Sequence, residues 1–191
     1  MKTKLGAMAL VYPIPIILCG ANVKGKPNYA TLGACGVMGL KPPLIYVSLM
    51  ETHYTTGGIA ENQTFSVNFP STRLMAVTDY CGIVSGRDAD KSELFENFYG
   101  ELGTAPMIRE CPVNLECRVE KDVRIHGRAI FIGEVIQVHA DERCVVERNG
   151  RKALVDMPLL DPLIYARDNH YYKIGPAIGN AYSEGRDYPV K

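Results

Sequence analysis

The residues of this chain best suited to chemistry gather in one stretch, 27–71. Glu51-Thr52-His53-Tyr54-Thr55-Thr56-Gly57-Gly58 places hydroxyls just ahead of a short helix expected through about Asn62. Side-chain oxygens and free backbone N–H groups would then point at one spot, which suits a phosphate; the competing reading is that Thr55 or Thr56 only caps the helix. Upstream, Asn28-Tyr29-Ala30-Thr31-Leu32-Gly33-Ala34-Cys35-Gly36 is small and poor in charge. Backbone there can approach a flat ligand closely, although an ordinary small-residue turn has the same composition.

Other chemistries find little support. The six cysteines form no CxxC pair, which weakens zinc-ribbon, iron–sulfur and thioredoxin-like readings, and scattered thiols imply a reducing cytoplasm. His53, His126, His139 and His170 show no metal-ligand spacing, so no metal is expected. There is no Ser-His-Asp or paired-carboxylate signature, and no GxGxxG for a Rossmann dinucleotide site. Lys plus Arg and Asp plus Glu number 21 each, so no net field favours nucleic acid or an anionic membrane. No apolar run is long enough for a membrane span, and the basic start before the apolar run 5–12, interrupted by Pro13 and Pro15, is read as no cleavable signal.

These residues need a scaffold, and the chain's 191 residues fit one domain that buries ~70% of its unfolded surface. LIYVSLM, 44–50, reads as a central strand covered on both faces, started by Pro42-Pro43. A first strand over 11–19, a turn over 21–27 with Gly25, and a period-two strand over 65–69 flank it. Leu74, Val77, Tyr80 and Cys81 have helical spacing, and 92–100 reads as a second short helix capped by Ser92 and closed by Gly100. Residues 113–125 and 129–140 form a strand pair turning at Gly127 and Arg128. The segment 143–152, with Asn149-Gly150, reads as a connector or short turn; 163–166 and 170–174 are short closing strands; 175–191 has little periodicity. Successive strands with only short helices between them give a mainly β, antiparallel barrel rather than a doubly wound sheet.

The order NYAT, small-residue segment, KPPLIYVSL, HYTT, FSVNFPS, continuing through 80–88 and 131–135 to 179–183, resembles the flavin reductase-like family and most closely its flavoredoxin branch. The resemblance covers essentially the whole chain. It implies an FMN-binding split β-barrel with Greek-key-like connections, acting as a homodimer whose interface completes the flavin pocket, with 175–191 packed on the partner subunit. By it, Asn28, Tyr29, Ala30 and Thr31 lie along the ring, Cys35 and Gly36 near its pyrimidine side, and Ser48 and Leu49 beside the ribityl chain. Tyr54, Thr55 and Thr56 match the phosphate end. Lys91, a solvated charge by composition alone, matches a lysine that reaches the same cofactor.

Two departures from the family pattern stand out. Many members carry Gly-Asp-His where this chain has His126-Gly127-Arg128, and arginine cannot switch protonation near neutral pH. An acid–base role is lost unless His126 substitutes, whereas Arg128 would supply positive charge that favours a reduced flavin. The second departure is Ala34, where relatives often have a bulkier aromatic residue. The resemblance implies a flavoprotein that carries electrons between protein or small-molecule partners; the alternatives are an NAD(P)H-dependent flavin or small-molecule reductase, and a non-catalytic FMN-binding module.

Overall fold

The computed structural model describes residues 1–148, 151–186 and 188. In chain order, β1 (Ile14–Pro15), β2 (Ile17–Val23), β3 (Lys26–Leu32), β4 (Cys35–Leu40) and β5 (Pro43–Met50) precede helix α1 (Tyr54–Asn62). Strand β6 (Thr64–Phe69) then leads through a 3-10 turn into α2 (Met75–Ile83). The short β7 (Asn97–Phe98) and β8 (Met107–Ile108) pair with each other, and β9 (Val113–Ile125) and β10 (Arg128–Ala140) form the long hairpin. Next come β11 (Val145–Arg148), β12 (Arg151–Val155), α3 (Met157–Leu160), β13 (Ile164–Tyr165) and β14 (Tyr171–Tyr172).

The main sheet runs β3-β2-β6-β9-β10-β5-β4 with every neighbour antiparallel, the mainly β architecture expected from the sequence. Its outermost strands, β3 and β4, are consecutive in the chain, so the sheet curls until only the Gly33-Ala34 link separates its two ends. The Ser48 amide donates to the Ala34 carbonyl at 2.8 Å, which ties that link to β5. Alternate residues of each strand point inward, and Ile17, Cys19, Val47, Leu49, Phe65, Val67, Ala129 and Phe131 make one buried cluster. Helix α1 packs onto this core through Ile59 and lies so close to β2 that a Cβ at Gly58 would stand 2.3 Å from the Asn22 carbonyl oxygen. The segments expected to close the chain form β13 and β14, which pair as a hairpin and add to β1.

Several local expectations are corrected. NYAT is not a loop but the middle of β3, because Asn28 to Thr31 pair in register with Ala21 to Leu18 of β2. The turn shrinks to Lys24 (φ 52°) and Gly25 (φ 77°), both left-handed as a two-residue hairpin turn requires. The same geometry recurs at His126 (φ 47°) and Gly127 (φ 72°), so Arg128 is not a turn residue but the first of β10. Strand β5 is covered on one face only: Val47 and Leu49 are buried, whereas Tyr46 and Ser48 on the other face are half-buried. No helix forms over 92–100. There Asn97 Nδ2 donates to the Ser92 and Phe95 carbonyls, and Phe95 turns inward to meet the Tyr29 ring edge-on at 5.3 Å. The segment 143–152 is not a plain connector, since its described residues enter β11 and β12, which pair with each other; Asn149 and Gly150 lie outside the described residues. Among the described residues no helix is long and apolar enough to cross a membrane.

Candidate functional site

Where β3, the start of α1 and the end of α2 meet, they enclose a cavity of about 200 Å³ lined by Asn28, Thr31, Tyr54, Thr55, Gly86 and Lys91, among others. Asn28 and Thr55 are both buried, and Asn28 Nδ2 donates to Thr55 Oγ1 at 2.7 Å, joining strand to helix. Thr31 is pinned from the other side by its hydroxyl, which donates to the Thr78 carbonyl of α2. The N-cap of α1 is His53, which makes no side-chain cap bond, so neither threonine occupies the capping position. A second opening, about 380 Å³, adjoins the first and shares Asn28, Tyr54, Gly86, Arg87 and Lys91 with it.

The electrostatics of this cavity are one-sided. Lys91 is 3% exposed, yet its ammonium meets only backbone: Nζ donates to the Tyr29 carbonyl at 3.0 Å and the Cys81 carbonyl at 2.9 Å. No carboxylate pairs with it among the described residues, and burial holds its pKa below the ordinary lysine value. Arg87 donates to the Thr52 carbonyl at 2.7 Å and lies 5.5 Å from the centre of the Tyr54 ring. The His53 pKa is lowered, first by burial and then by the positive charges of Arg128, Lys91 and Arg87. A buried cation with no counter-charge is costly, and an anion entering the cavity would relieve that cost.

Of the residues singled out in the sequence, the fold brings Asn28, Ala30, Thr31, Tyr54, Thr55 and Lys91 to this cavity. Tyr29 contributes its carbonyl to Lys91 but sends its ring into a second core cluster with Leu18, Phe95 and Ile108. Thr56 turns back, its hydroxyl donating to the Met50 carbonyl at 2.8 Å. Leu49 lies in the barrel core. Cys35 packs against that core, where burial pushes its thiol up to about 11, and Gly36 faces the Tyr46 ring, which a Cβ would approach to 2.8 Å. Ser48 and Arg128 form a second group: Arg128 donates through Nη2 to the Ser48 carbonyl at 2.7 Å and through Nε to its hydroxyl at 3.2 Å. His126 is exposed at the hairpin tip.

Sequence reasoning placed Thr52 and His53 in the hydroxyl-rich run but gave them no cofactor contact, and it missed the run Ser85-Gly86-Arg87; all of them line the cavity. The available signal was a hydroxyl, a glycine and a basic residue directly after a helix and shortly before Lys91. Gly86 is required by packing: a Cβ there would lie 2.0 Å from Asn28 Oδ1 and 2.7 Å from Tyr54 Cδ1.

The model of the flavin reductase-like domain matches residues 8–175. The chain belongs to this family. It is similar to the crystal structure of flavoredoxin from Methanosarcina acetivorans, with 44% identity, a TM-score of 0.91, and coverage of 97% of this chain and 98% of that one. Flavoredoxin of Desulfovibrio vulgaris (Miyazaki F) is 34% identical with a TM-score of 0.88, covering 97% of this chain and 100% of that one. An uncharacterised protein of Archaeoglobus fulgidus is 32% identical over 134 residues, which is 69% of this chain and 75% of that protein. The cavity beside α1, with its buried Lys91, lies within the family's matched span.

Proposed function

We propose that this protein is an FMN-binding flavoprotein of the flavoredoxin type, passing electrons through the bound flavin to a protein or small-molecule partner. The observation that carries the reading is the buried Lys91 ammonium, unpaired by any carboxylate among the described residues, facing a cavity that also holds Thr55 and Arg87. Those groups fit a phosphate monoester: Lys91 and Arg87 supply charge, and the Thr55 hydroxyl supplies a hydrogen bond. Asn28, Ala30 and Thr31 then line the path away from the phosphate. Cys35, Gly36, Ser48 and Arg128, gathered around β5, stand where the ring and ribityl chain would continue. FMN, when bound, supplies the redox chemistry; the protein's part is to hold it and to surround it with positive charge that favours the reduced form. Buried thiols, which include Cys19, Cys81, Cys111 and Cys117, suit a reducing cytoplasm.

The purified protein should be yellow, and mass analysis of the released flavin should give FMN; FAD as the bound species would overturn the assignment of the phosphate site. Anaerobic mixing with NADH, NADPH and dithionite in turn then separates a carrier from a reductase. Bleaching by dithionite alone is the result expected of a carrier, and rapid bleaching by either nicotinamide would favour the reductase.

The same reading includes a two-fold dimer. The edge strand β4 exposes Val37, Met38 and Leu40, and the C-terminal segment exposes Ile178, Tyr182 and Tyr188. Apolar side chains on an open sheet edge and a patternless tail are both surfaces that a second copy would cover. Truncation after Gly175 should lower dimer stability and FMN content together, because a ligand bound across two chains stabilises their association. A truncated protein that stays dimeric by light scattering and keeps its flavin would show that the tail takes no part in the site.

A further inference from the structure

Thr31 lines a second cavity, of about 510 Å³, within the range typical of small-molecule sites. Its apolar side is Ile14 and Ile16, and the Gly33-Ala34 link borders it. The room exists because that link is small. Ala34 ends at a methyl group, and at Gly33 even a Cβ would come within 2.8 Å of Ile14 Cγ2.

The polar side of the cavity holds one cation, the exposed Arg167, and one carboxylate, Asp79, which do not pair with each other. Arg167 lines it, and among the described residues its guanidinium makes one hydrogen bond, to the Ala9 carbonyl at 3.2 Å, and no ion pair. Asp79, the carboxylate in the same cavity, accepts instead from the Tyr171 hydroxyl at 2.7 Å. Arg167 and Asn169, two residues apart and both lining the cavity, adopt left-handed backbone angles of φ 55° and φ 64°. That conformation is uncommon for arginine, and residues held in it cluster at ligand sites. The hairpin of β13 and β14 holds both side chains at the cavity mouth while leaving most of the guanidinium's donors free for a planar anion.

We propose that this second cavity binds a small organic carboxylate, its carboxylate on Arg167 and its apolar body against Ile14, Ile16 and Ala34. The carboxylate site itself stands on this cavity alone. Its role as the place where the flavin's reaction partner sits rests on the proposed function, because Thr31, common to both cavities, puts the ligand beside the flavin.

Benzoate and its neutral counterpart benzamide form a matched pair of probes. Each is titrated into the FMN-loaded protein, following the flavin's visible absorbance, with calorimetry in parallel. Benzoate should bind about tenfold more tightly than benzamide and perturb the flavin spectrum. Arg167→Gln should erase that preference, and Ala34→Phe should abolish binding of both probes, with flavin content equal to the parent's in each variant. Equal affinity for the two probes, or a benzoate affinity unchanged in Arg167→Gln, would overturn the proposal. Arg167 is exposed at its backbone turn, so Arg167→Gln reads the site even if Ala34→Phe folds poorly. A protein that holds no flavin yet still prefers benzoate by calorimetry would sink the flavin reading and keep the carboxylate site. Full flavin with indifference to benzoate would do the reverse.

Discussion

Lys91→Met should lower FMN affinity by about 30- to 3000-fold, the ~2–5 kcal/mol expected when one member of a buried, charge-assisted pair is removed. The size of the effect follows from the surroundings of the ammonium. It is shielded from water, held by the Tyr29 and Cys81 carbonyls, and not neutralised by a carboxylate among the described residues. Its attraction for a phosphate is therefore weakly screened. The same two hydrogen bonds brace β3 against α2, so the variant should also be less stable without flavin, by ~1–3 kcal/mol. A ratio separates the two consequences. Riboflavin lacks the phosphate, so general loosening of the fold would weaken FMN and riboflavin alike, whereas loss of the phosphate partner weakens only FMN. Fluorescence-quenching titrations should show the parent preferring FMN strongly and Lys91→Met losing most of that preference. An unchanged FMN-to-riboflavin ratio would mean that the lysine is a structural brace and that the phosphate lies elsewhere.

Gly86→Ala should cost about 5- to 150-fold in FMN affinity, the ~1–3 kcal/mol that forcing an extra methyl into a packed site costs. Gly86 is not among the glycines with a positive φ, so the substitution acts through overlap. The added methyl would stand 2.0 Å from Asn28 Oδ1 and 2.9 Å from Asn28 Cγ. Asn28 cannot swing away freely, because it is buried and donates to Thr55 Oγ1. The 84–87 loop must therefore lift off the cavity, taking Arg87 with it. Gly57→Ala is the matched control: a Cβ at Gly57 meets nothing within 4 Å, and alanine in a helix is favoured over glycine by up to ~1 kcal/mol. It should retain FMN and melt slightly higher. If Gly86→Ala also keeps full affinity, the loop is not part of the cavity wall in the bound form.

Much of this protein is legible in its amino-acid sequence. The period-two alternation of 65–69 and 113–125 identifies strands, and proline and glycine mark where they stop; both rules are local, so the sequence alone carries them. The second face of β6 and of the first half of β9 is buried as well, at Ser66, Asn68, Asn114 and Glu116, because other segments fold over it. The hydroxyl-rich run 52–56 marks the start of a short helix by an equally local rule, and the fold brings Thr52, Tyr54 and Thr55 of that run to the cavity. Tertiary pairing decided what local pattern could not. NYAT has the composition of a loop, but hydrogen bonding to β2 makes it a strand and sends Asn28 and Tyr29 to opposite sides, one to the cavity and one to the core. Residues 92–100 have the spacing of a helix, but a buried Phe95 and the Asn97 side chain hold 92–96 in turns, and 97–98 pair with β8 as β7. Lys91 has the sequence neighbours of any surface lysine, because burial is a property of what folds over a residue, and its two partners lie 62 and 10 positions away. The sequence shows Gly86 after a helix but not why it must be glycine, for a related reason: a glycine needed for a positive φ announces itself in a turn pattern, whereas one needed for clearance is defined only by the side chains that arrive from Asn28 and Tyr54.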